Sequence, residues 1–463
     1  MIYGHSGSGF IFTFGDPHLC GLNIYIEKYT NEFKSQNEVK IMKKNQVQIK
    51  SDNKTTDGSH HPFVGPKALF DPYYVPAILF DRKKEEKFVS GLVEDAVTDN
   101  FPAVLSVYGI KGAGKTVLVN KSLEQILGEK INESGQRVIF LRVECEGKGI
   151  EQILFSIINR IAKFANININ PDSIINAETR ALWNLFKLSV SKLNGQVVLF
   201  LDSVEYTDPK VLNRIIDFCK SESMILISCF NVPKSSPFLL DFKRPDFKIE
   251  IGSHNLSSLY KIGEHRWKIG IDQHIDSDMV HFIVDLIGQF DKHVPGSIVR
   301  VLREVYPLIK NGVENTHDEV RDRCRYHFEG YNIDELSVAE YISESTLTER
   351  LFLDNICGYF LNTDEFYMPY DEIKNNYMVA CENLELPTSQ NAFSTTLNQL
   401  RRISLLLPSH FDMHMITKDS VTMSGHRSDH QKIPVKETNR VPHFITVPPE
   451  SLHEMLNVAF GSY

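Results

Sequence analysis

The 463 residues exceed what a single hydrophobic core usually supports, so two or three domains are expected. Hydrophobic residues at 42% and charged residues at 24% are those of a soluble globular chain, and the lack of a run of about 18 apolar residues predicts no transmembrane helix. A net charge of −9 excludes a uniformly basic surface, so any nucleic-acid contact must rest on locally concentrated Lys and Arg. The start has no charged region leading into an apolar stretch, so no signal peptide is expected. The seven cysteines are scattered without a CxxC pair, which argues against a zinc module and suits a reducing compartment.

Residues 1–61 read as an accessory, poorly structured extension: Lys40–Lys54 is basic and polar, and TTDGSHH follows as linker. From Pro62 the pattern becomes regular. Lys84–Thr98 has helical spacing with Phe88, Leu92 and Ala96 on one face. Val104–Tyr108 is a short apolar strand, followed by a glycine-rich turn and a helix from Thr116. Val138–Val143, Val197–Leu201 and Met224–Ser228 are three further strands, separated by helices that include Gly149–Ala165 and Thr179–Leu193. Apolar strands alternating with helices predict an α/β domain with a parallel sheet covered on both faces. Beyond about Ser253 the pattern is helical, over His254–Lys310 and again over Ser337–Leu407. Strand-like pieces follow at Met413–Met423 and His443–Val447.

Gly109-Ile110-Lys111-Gly112-Ala113-Gly114-Lys115-Thr116 fits the pattern G-x-x-x-x-G-K-[ST] without a mismatch. Glycines let the backbone curl so that successive N–H groups face phosphate oxygens, and the following helix adds the positive end of its dipole. Lys115 is then the partner of the β- and γ-phosphates of ATP or ADP, and the Thr116 hydroxyl a ligand of Mg²⁺. Asp202, ending the apolar run VVLFLD, is the second candidate metal ligand. Ser203 and then Glu205 follow it. Asn231, after the fourth strand, is placed to orient a water near the γ-phosphate.

Tyr74-Val75-Pro76 and Asp81-Arg82 ahead of an acidic helix, together with this loop, resemble the opening of the archaeal-type replication initiators. These AAA+ ATPases are the relatives of origin recognition complex subunit one and cell division cycle protein six. Asp81-Arg82 stands where the family has His-Arg, and Val143-Glu144-Cys145 resembles the end of its second strand. The resemblance implies that Val75, Pro76 and Arg82 join the nucleotide site and that Asn231 is the first sensor. The family carries a general-base Glu directly after the metal-binding Asp, where this chain has Ser203. Either Glu205 substitutes, or ATP is bound and hydrolysed slowly or not at all. Pro295–Arg303 resembles the segment opening the second-sensor helix, which makes Arg300 the second-sensor candidate, with the family's Gly-Asp pair degraded and the spacing one residue longer. Arg244 lies near the family's arginine finger.

Tyr370–Tyr377, Cys381, Leu386–Gln390, Phe393, Leu397 and Leu400 follow the rhythm of the family's winged helix, and Ser451–Ala459 resembles its closing helix. The implied architecture is an extension (1–61), a nucleotide-binding α/β domain (62–253), a helical lid (254–335) and a winged-helix domain (336–463). The implied function is an ATP-dependent initiator that binds double-stranded origin DNA and helps load a replicative helicase beside other initiator subunits. It would work in the cytoplasm and nucleoid, or the nucleus of a eukaryotic host, without a membrane. The recognition helix offers Gln390, Asn391, Ser394, Thr395, Asn398, Arg401 and Arg402, and the wing offers Arg427, Lys432, Lys436 and Arg440. Residues 399–440 hold seven Lys and Arg against four Asp and Glu, a local net charge of +3. His410, His414, His426 and His430 read as solvated loop residues, at a spacing that does not suggest zinc. The readings left open are a non-catalytic subunit of an origin recognition assembly, a different regulatory NTPase with a winged helix, and a protein-binding scaffold.

Overall fold

A computed structural model describes residues 63–129, 137–164, 174, 177–193, 195–271, 276–311, 316–328, 335–363, 365–410 and 441–461. The expected extension at 1–61, the strand-like piece at 413–423, and the wing with Arg427, Lys432, Lys436 and Arg440 lie outside the described residues, as do His414, His426 and His430. In chain order the elements are α1 (Lys67–Phe70), α2 (Lys83–Thr98), β1 (Ala103–Tyr108), α3 (Lys115–Glu129), β2 (Arg137–Glu144), α4 (Ile150–Phe164), α5 (Thr179–Ser191), β3 (Gly195–Asp202), α6 (Pro209–Ser221), β4 (Ile225–Phe230), β5 (Phe247–Glu250), α7 (Leu256–Gly270), α8 (Ser277–Phe290), α9 (Pro295–Asn311), α10 (Thr316–Phe328), α11 (Glu335–Glu344), α12 (Leu347–Asn362), α13 (Tyr370–Asn383), α14 (Gln390–Arg402), β6 (Leu406–Pro408), β7 (His443–Ile445) and α15 (Pro449–Gly461). They form two compact units. One contains Glu86–Gly109 and Ser122–Glu250, and the other Pro62–Glu85, Ile110–Lys121 and Ile251–Tyr463.

The first unit is built on one parallel sheet in the order β2-β3-β4-β1-β5. Side chains alternate across it. Val104, Leu141, Leu199 and Leu226 enter one core with Ile157 and Ile161 of α4 and Phe186 of α5, while Leu105, Val198, Phe200 and Ile227 are equally buried on the other face. The four apolar strands and the helices α4 and α5 therefore stand where the sequence predicts them. Two details differ. Helix α2 buries Val89, Val93, Ala96 and Val97, whereas Phe88 is 44% exposed and meets Phe247 of β5 edge-on, ring centroids 6.4 Å apart. The buried stripe thus lies one residue later than expected: two apolar stripes share the helical period, and the β-branched one is covered. Strand β5 has no apolar run to reveal it, because Lys248 and Glu250 alternate with Phe247 and Ile249 at the sheet's edge.

The second unit contains two helical cores. In the first, Leu259, Phe282, Ile298, Val301 and Leu302 of α7, α8 and α9 pack with Leu69 of α1. In the second, residues from α11 to α15 gather around Phe352, Ile356, Phe393 and Leu400. The short antiparallel pair β6–β7 serves both. Leu406 and Ile445 are register partners that enter the second core, and the next pair, Leu407 and Phe444, enters the first. Strand β6 falls inside a stretch the sequence reads as helical, since three apolar residues carry no period of their own. Asp285 of α8, fully buried, lies against the first of these cores. Its carboxylate accepts hydrogen bonds from the Tyr260 hydroxyl, from the Tyr367 hydroxyl at 2.8 Å and from the His410 backbone N–H at 2.9 Å. Burial raises the pKa of this carboxyl, and the three donors oppose the rise.

Arg350 of α12 closes the second core. Its guanidinium is buried and donates to Ile342 O at 3.0 Å, Ser343 O at 2.9 Å and Ala459 O at 3.3 Å. These carbonyls sit in the last turns of α11 and α15, where backbone oxygens have no partner inside the helix and the dipole favours a cation. Arg350→Ala strands them in a dry site and is expected to lower stability by about 2–4 kcal/mol. Arg350→Lys should recover part of that loss, and urea unfolding of the three proteins measures both.

Candidate functional site

The loop after β1 has the backbone its glycines permit. Gly112 and Gly114 sit at φ 87° and 94°, in the left-handed region where a side chain would be strained. Helix α3 begins at once, with Leu118 N donating to Gly114 O at 2.9 Å. Lys115 is 4% exposed and its Nζ donates to Ile110 O at 2.9 Å, so the ammonium is folded onto its own loop. The start of α9 approaches the same loop. Gly296 N donates to Gly112 O at 3.0 Å, and a Cβ on Gly296 would lie 2.8 Å from Gly112 Cα. Glycine at 296 is thus a requirement of two backbones in contact.

Beside the loop is a cleft of about 500 Å³, counted to its open mouth. Pro76, Ile78, Leu79 and Phe80 supply one wall, Ala113, Gly114, Val117 and Leu118 another, and Ile262, Arg266 and Pro295 a third, with Arg82, His254 and His265 among them. Pro76 and Arg82 are therefore where the sequence expects them, while Val75 is not in the lining. Arg82 is anchored by donating to Gly252 O, and its Nη1 is 3.6 Å from Glu85. Burial and then the Arg82 charge push the His254 pKa down to about 4, so its ring is neutral at pH 7. His254, Ile262, His265 and Arg266 carry no pattern that could have marked them, because the segment before α7 and α7 itself bring them in from far along the chain. Arg300 is exposed, on the side of α9 opposite its buried Ile298, Val301 and Leu302, and it does not line the cleft. Arg303, one turn on, donates from Nε to Leu69 O at 2.5 Å.

The first unit brings Asp202, Ser203, Glu205 and Asn231 to the carboxyl edge of its sheet. Asp202 Oδ2 accepts from Arg142 Nη2 at 2.9 Å. Ser203 adopts a left-handed backbone, φ 59°. Asn231 engages Glu205 twice, Nδ2 to Oε1 at 2.7 Å and N to Oε2 at 2.9 Å, and its Nδ2 also reaches Ser203 Oγ at 3.1 Å. Both Glu205 oxygens are thus held by one residue, and Oδ2 of Asp202 is engaged by Arg142. Arg142 was invisible as a site residue because only strand register brings it to Asp202. Arg244 is exposed in the segment before β5.

Helix α14 buries Phe393, Thr396, Leu397 and Leu400. Asn391, Thr395, Asn398 and Arg402 are exposed at helical spacing and form its outer stripe, with Gln390 exposed at the start. Arg401 departs from the expectation that it faces outward. It is half buried, with Nη2 2.8 Å from His443 Nε2 on β7, while His443 Nδ1 is 2.9 Å from Val441 O. This arrangement requires the neutral tautomer protonated on Nδ1. Burial, then the Arg401 charge, push the His443 pKa down to about 3.

No family profile matches the chain. ORC1-type DNA replication protein 2 of Haloarcula marismortui is 23% identical over 260 residues, which cover 53% of this chain and 62% of that protein, less than two thirds of the relative's length. Cdc6p of Pyrobaculum aerophilum superposes with a TM-score of 0.60 at 16% identity, covering 87% of this chain and 99% of that one. The ORC1 protein of Aeropyrum pernix in complex with DNA gives 0.47 at 16% identity, covering 85% and 96%. The resemblance to archaeal-type initiators therefore holds in sequence with the first protein, and the α/β fold with the second.

Two outcomes follow from this geometry. Gly296→Ala must displace the Gly112 backbone and is expected to lower stability by about 1–3 kcal/mol in urea unfolding, whereas Gly91→Ala, with nothing within 4 Å of its Cβ, should not lower it. The second concerns acid. His443 titrates lower in the folded chain than the ordinary value of about 6.5. Its contribution to stability is therefore complete above that value and is lost as pH falls from there toward about 3. Urea midpoints at pH 7, 6 and 5 should fall, and His443→Gln should flatten the slope by up to about one proton. An unchanged slope would mean that His443 is not buried in its neutral form.

Proposed function

We propose that this chain is a nucleotide-controlled DNA-binding protein of replication initiation. The observation that carries the reading is buried Lys115 in a left-handed glycine loop, held by the Gly296 backbone beside an apolar cleft. The flat surfaces of Pro76, Phe80 and Pro295 suit an adenine ring, and the loop N–H groups and Lys115 suit the phosphates of ATP or ADP. Thr116, at the second position of α3, would place its hydroxyl beside them. Asn231, Arg300 and Arg244 keep the roles of first sensor, second sensor and arginine finger as proposals. Nucleotide would favour one setting of the lid (254–335) and of the winged-helix domain (336–463), and so alter the grip on DNA.

Origin DNA is the proposed partner, with a replicative helicase and other initiator subunits as further partners in the cytoplasm and nucleoid. Three observations support the DNA reading. The outer stripe of α14 is polar and ends in Arg402. The local net charge over 399–440 is positive in an acidic chain. The relative in Haloarcula marismortui is named a DNA replication protein. Among the described residues no helix is long and apolar enough to cross a membrane.

A second reading, a subunit that holds ATP without turning it over, is favoured by one observation: Glu205 is occupied at both oxygens by Asn231 and Ser203 stands where a base is usual. One set of titrations tests the proposal. Duplex binding is measured with and without ATP at two salt concentrations, and ATP turnover is followed in the same samples. Affinity should rise with ATP and fall with salt, Arg402→Gln should reduce the salt slope by about one, and Lys115→Ala should abolish the ATP effect. Duplex affinity indifferent to salt would remove the DNA reading, and turnover of several per second would remove the subunit reading.

A further inference from the structure

The cleft beside the glycine loop is built wholly from the second unit, and its lining is apolar except for Arg82, His254, His265 and Arg266. Two of these are guanidiniums, which donate hydrogen bonds and cannot accept them. Both are also held by the protein. Arg82 donates to Gly252 O, and Arg266 Nη1 donates to Ala68 O at 2.9 Å while its guanidinium lies 5.0 Å from the Tyr74 ring centroid. His265 sets its ring edge-on to Phe80, centroids 5.7 Å apart, and its Nε2 is enclosed by protein. His254 is placed differently. Its backbone is pinned, because its N–H donates to His293 O at 2.8 Å and the next residue, Asn255, caps α7 by accepting from Ser258 N at 2.8 Å. The residue is 7% exposed, it borders the cleft, and its ring makes no hydrogen bond to any described residue.

A polar ring enclosed in an apolar wall costs free energy unless something bonds to it. Burial and the Arg82 charge keep this imidazole neutral at pH 7, and a neutral imidazole retains one nitrogen as an acceptor. A nucleobase entering the cleft brings polar atoms that leave water and need partners. The ring nitrogens of adenine are acceptors, which a guanidinium suits; its exocyclic amine is a donor, which a guanidinium cannot serve. We propose that His254 accepts a hydrogen bond from the exocyclic amine of the base, which makes it the residue that selects an amine-bearing purine nucleotide over one lacking the amine. This rests on the nucleotide-binding reading above and specifies which edge of the base the cleft reads.

The test compares calorimetric Kd values of the full chain for ATP and for purine riboside triphosphate, which differs from ATP only in lacking the amine. The wild type should bind ATP at least about tenfold more tightly, the worth of one net hydrogen bond at a buried site. His254→Phe keeps the bulk, offers no acceptor, and should bind the two within about threefold of each other. His254→Gln restores an acceptor oxygen and should recover part of the preference. A structural role alone would lower both affinities together and leave their ratio unchanged. A wild type that binds the two equally overturns the proposal whether or not any variant folds. So does a folded His254→Phe protein that keeps the tenfold preference. If that variant does not fold, as judged by its melting curve, a crystal structure of the wild-type chain with ATP decides: a ring nitrogen of His254 within about 3.2 Å of the amine supports the proposal, and no contact overturns it. Lys115→Ala should lose both ligands. A wild type that binds neither triphosphate removes the nucleotide reading itself, together with this inference, whereas equal binding of both removes the inference alone.

Discussion

Gly296 and Gly112 touch backbone to backbone, and the cleft of the second unit depends on that contact. The hydrogen bond from Gly296 N to Gly112 O fixes where α9 begins, and Pro295 immediately before it becomes a wall of the cleft. Val294 lies on the other side, its Cγ2 3.1 Å from where a Cβ on Gly112 would stand. Two residues without side chains thus let a helix from late in the chain lie on a loop from early in it. Close approach is a steric condition that no other residue type meets, whereas the apolar walls could be repacked with modest loss.

How legible this was depended on the range of the interaction. The loop from Gly109 to Thr116 was readable because its chemistry is local: glycines, lysine and hydroxyl must follow one another between a strand and a helix. The four central strands were readable because both faces are buried, which leaves continuous apolar runs. Strand β5 was not, since it is a half-solvated edge, and neither was β6, whose three residues are assigned only by pairing with β7. Arg142, His254 and the contact of Arg401 with His443 share a different obstacle. Each is created by register or packing between segments far apart in sequence, and no spacing rule encodes them. Phe88 shows the limit within one helix, where two apolar stripes had the same period and burial selected the other.

Polar side chains at the carboxyl edge of the first unit contact one another. Asp202 faces Arg142, and Glu205 faces Asn231, which in turn reaches Ser203. Ser203 needs its left-handed backbone to make this turn, a conformation that costs most residues about 1–2 kcal/mol. A glutamate placed there would inherit that strain, so adding a general base is a change of backbone as well as of side chain.

Asp285 has a mechanical consequence. Its carboxylate is clasped by Tyr260 from α7, by Tyr367 from the turn before α13, and by the backbone of His410 just after β6. Phe444 of β7 and Leu407 of β6 insert into the core beneath it. A joint with an apolar floor and a buried anionic pin leaves little room for slack, because sliding it would strip a carboxylate of its donors where no water replaces them. Helix α8 and the β6–β7 ladder then form a single lever. An angular change entering at α9 would reach the outer stripe of α14 as a rotation of the whole, with its arm set by the distance from the pin.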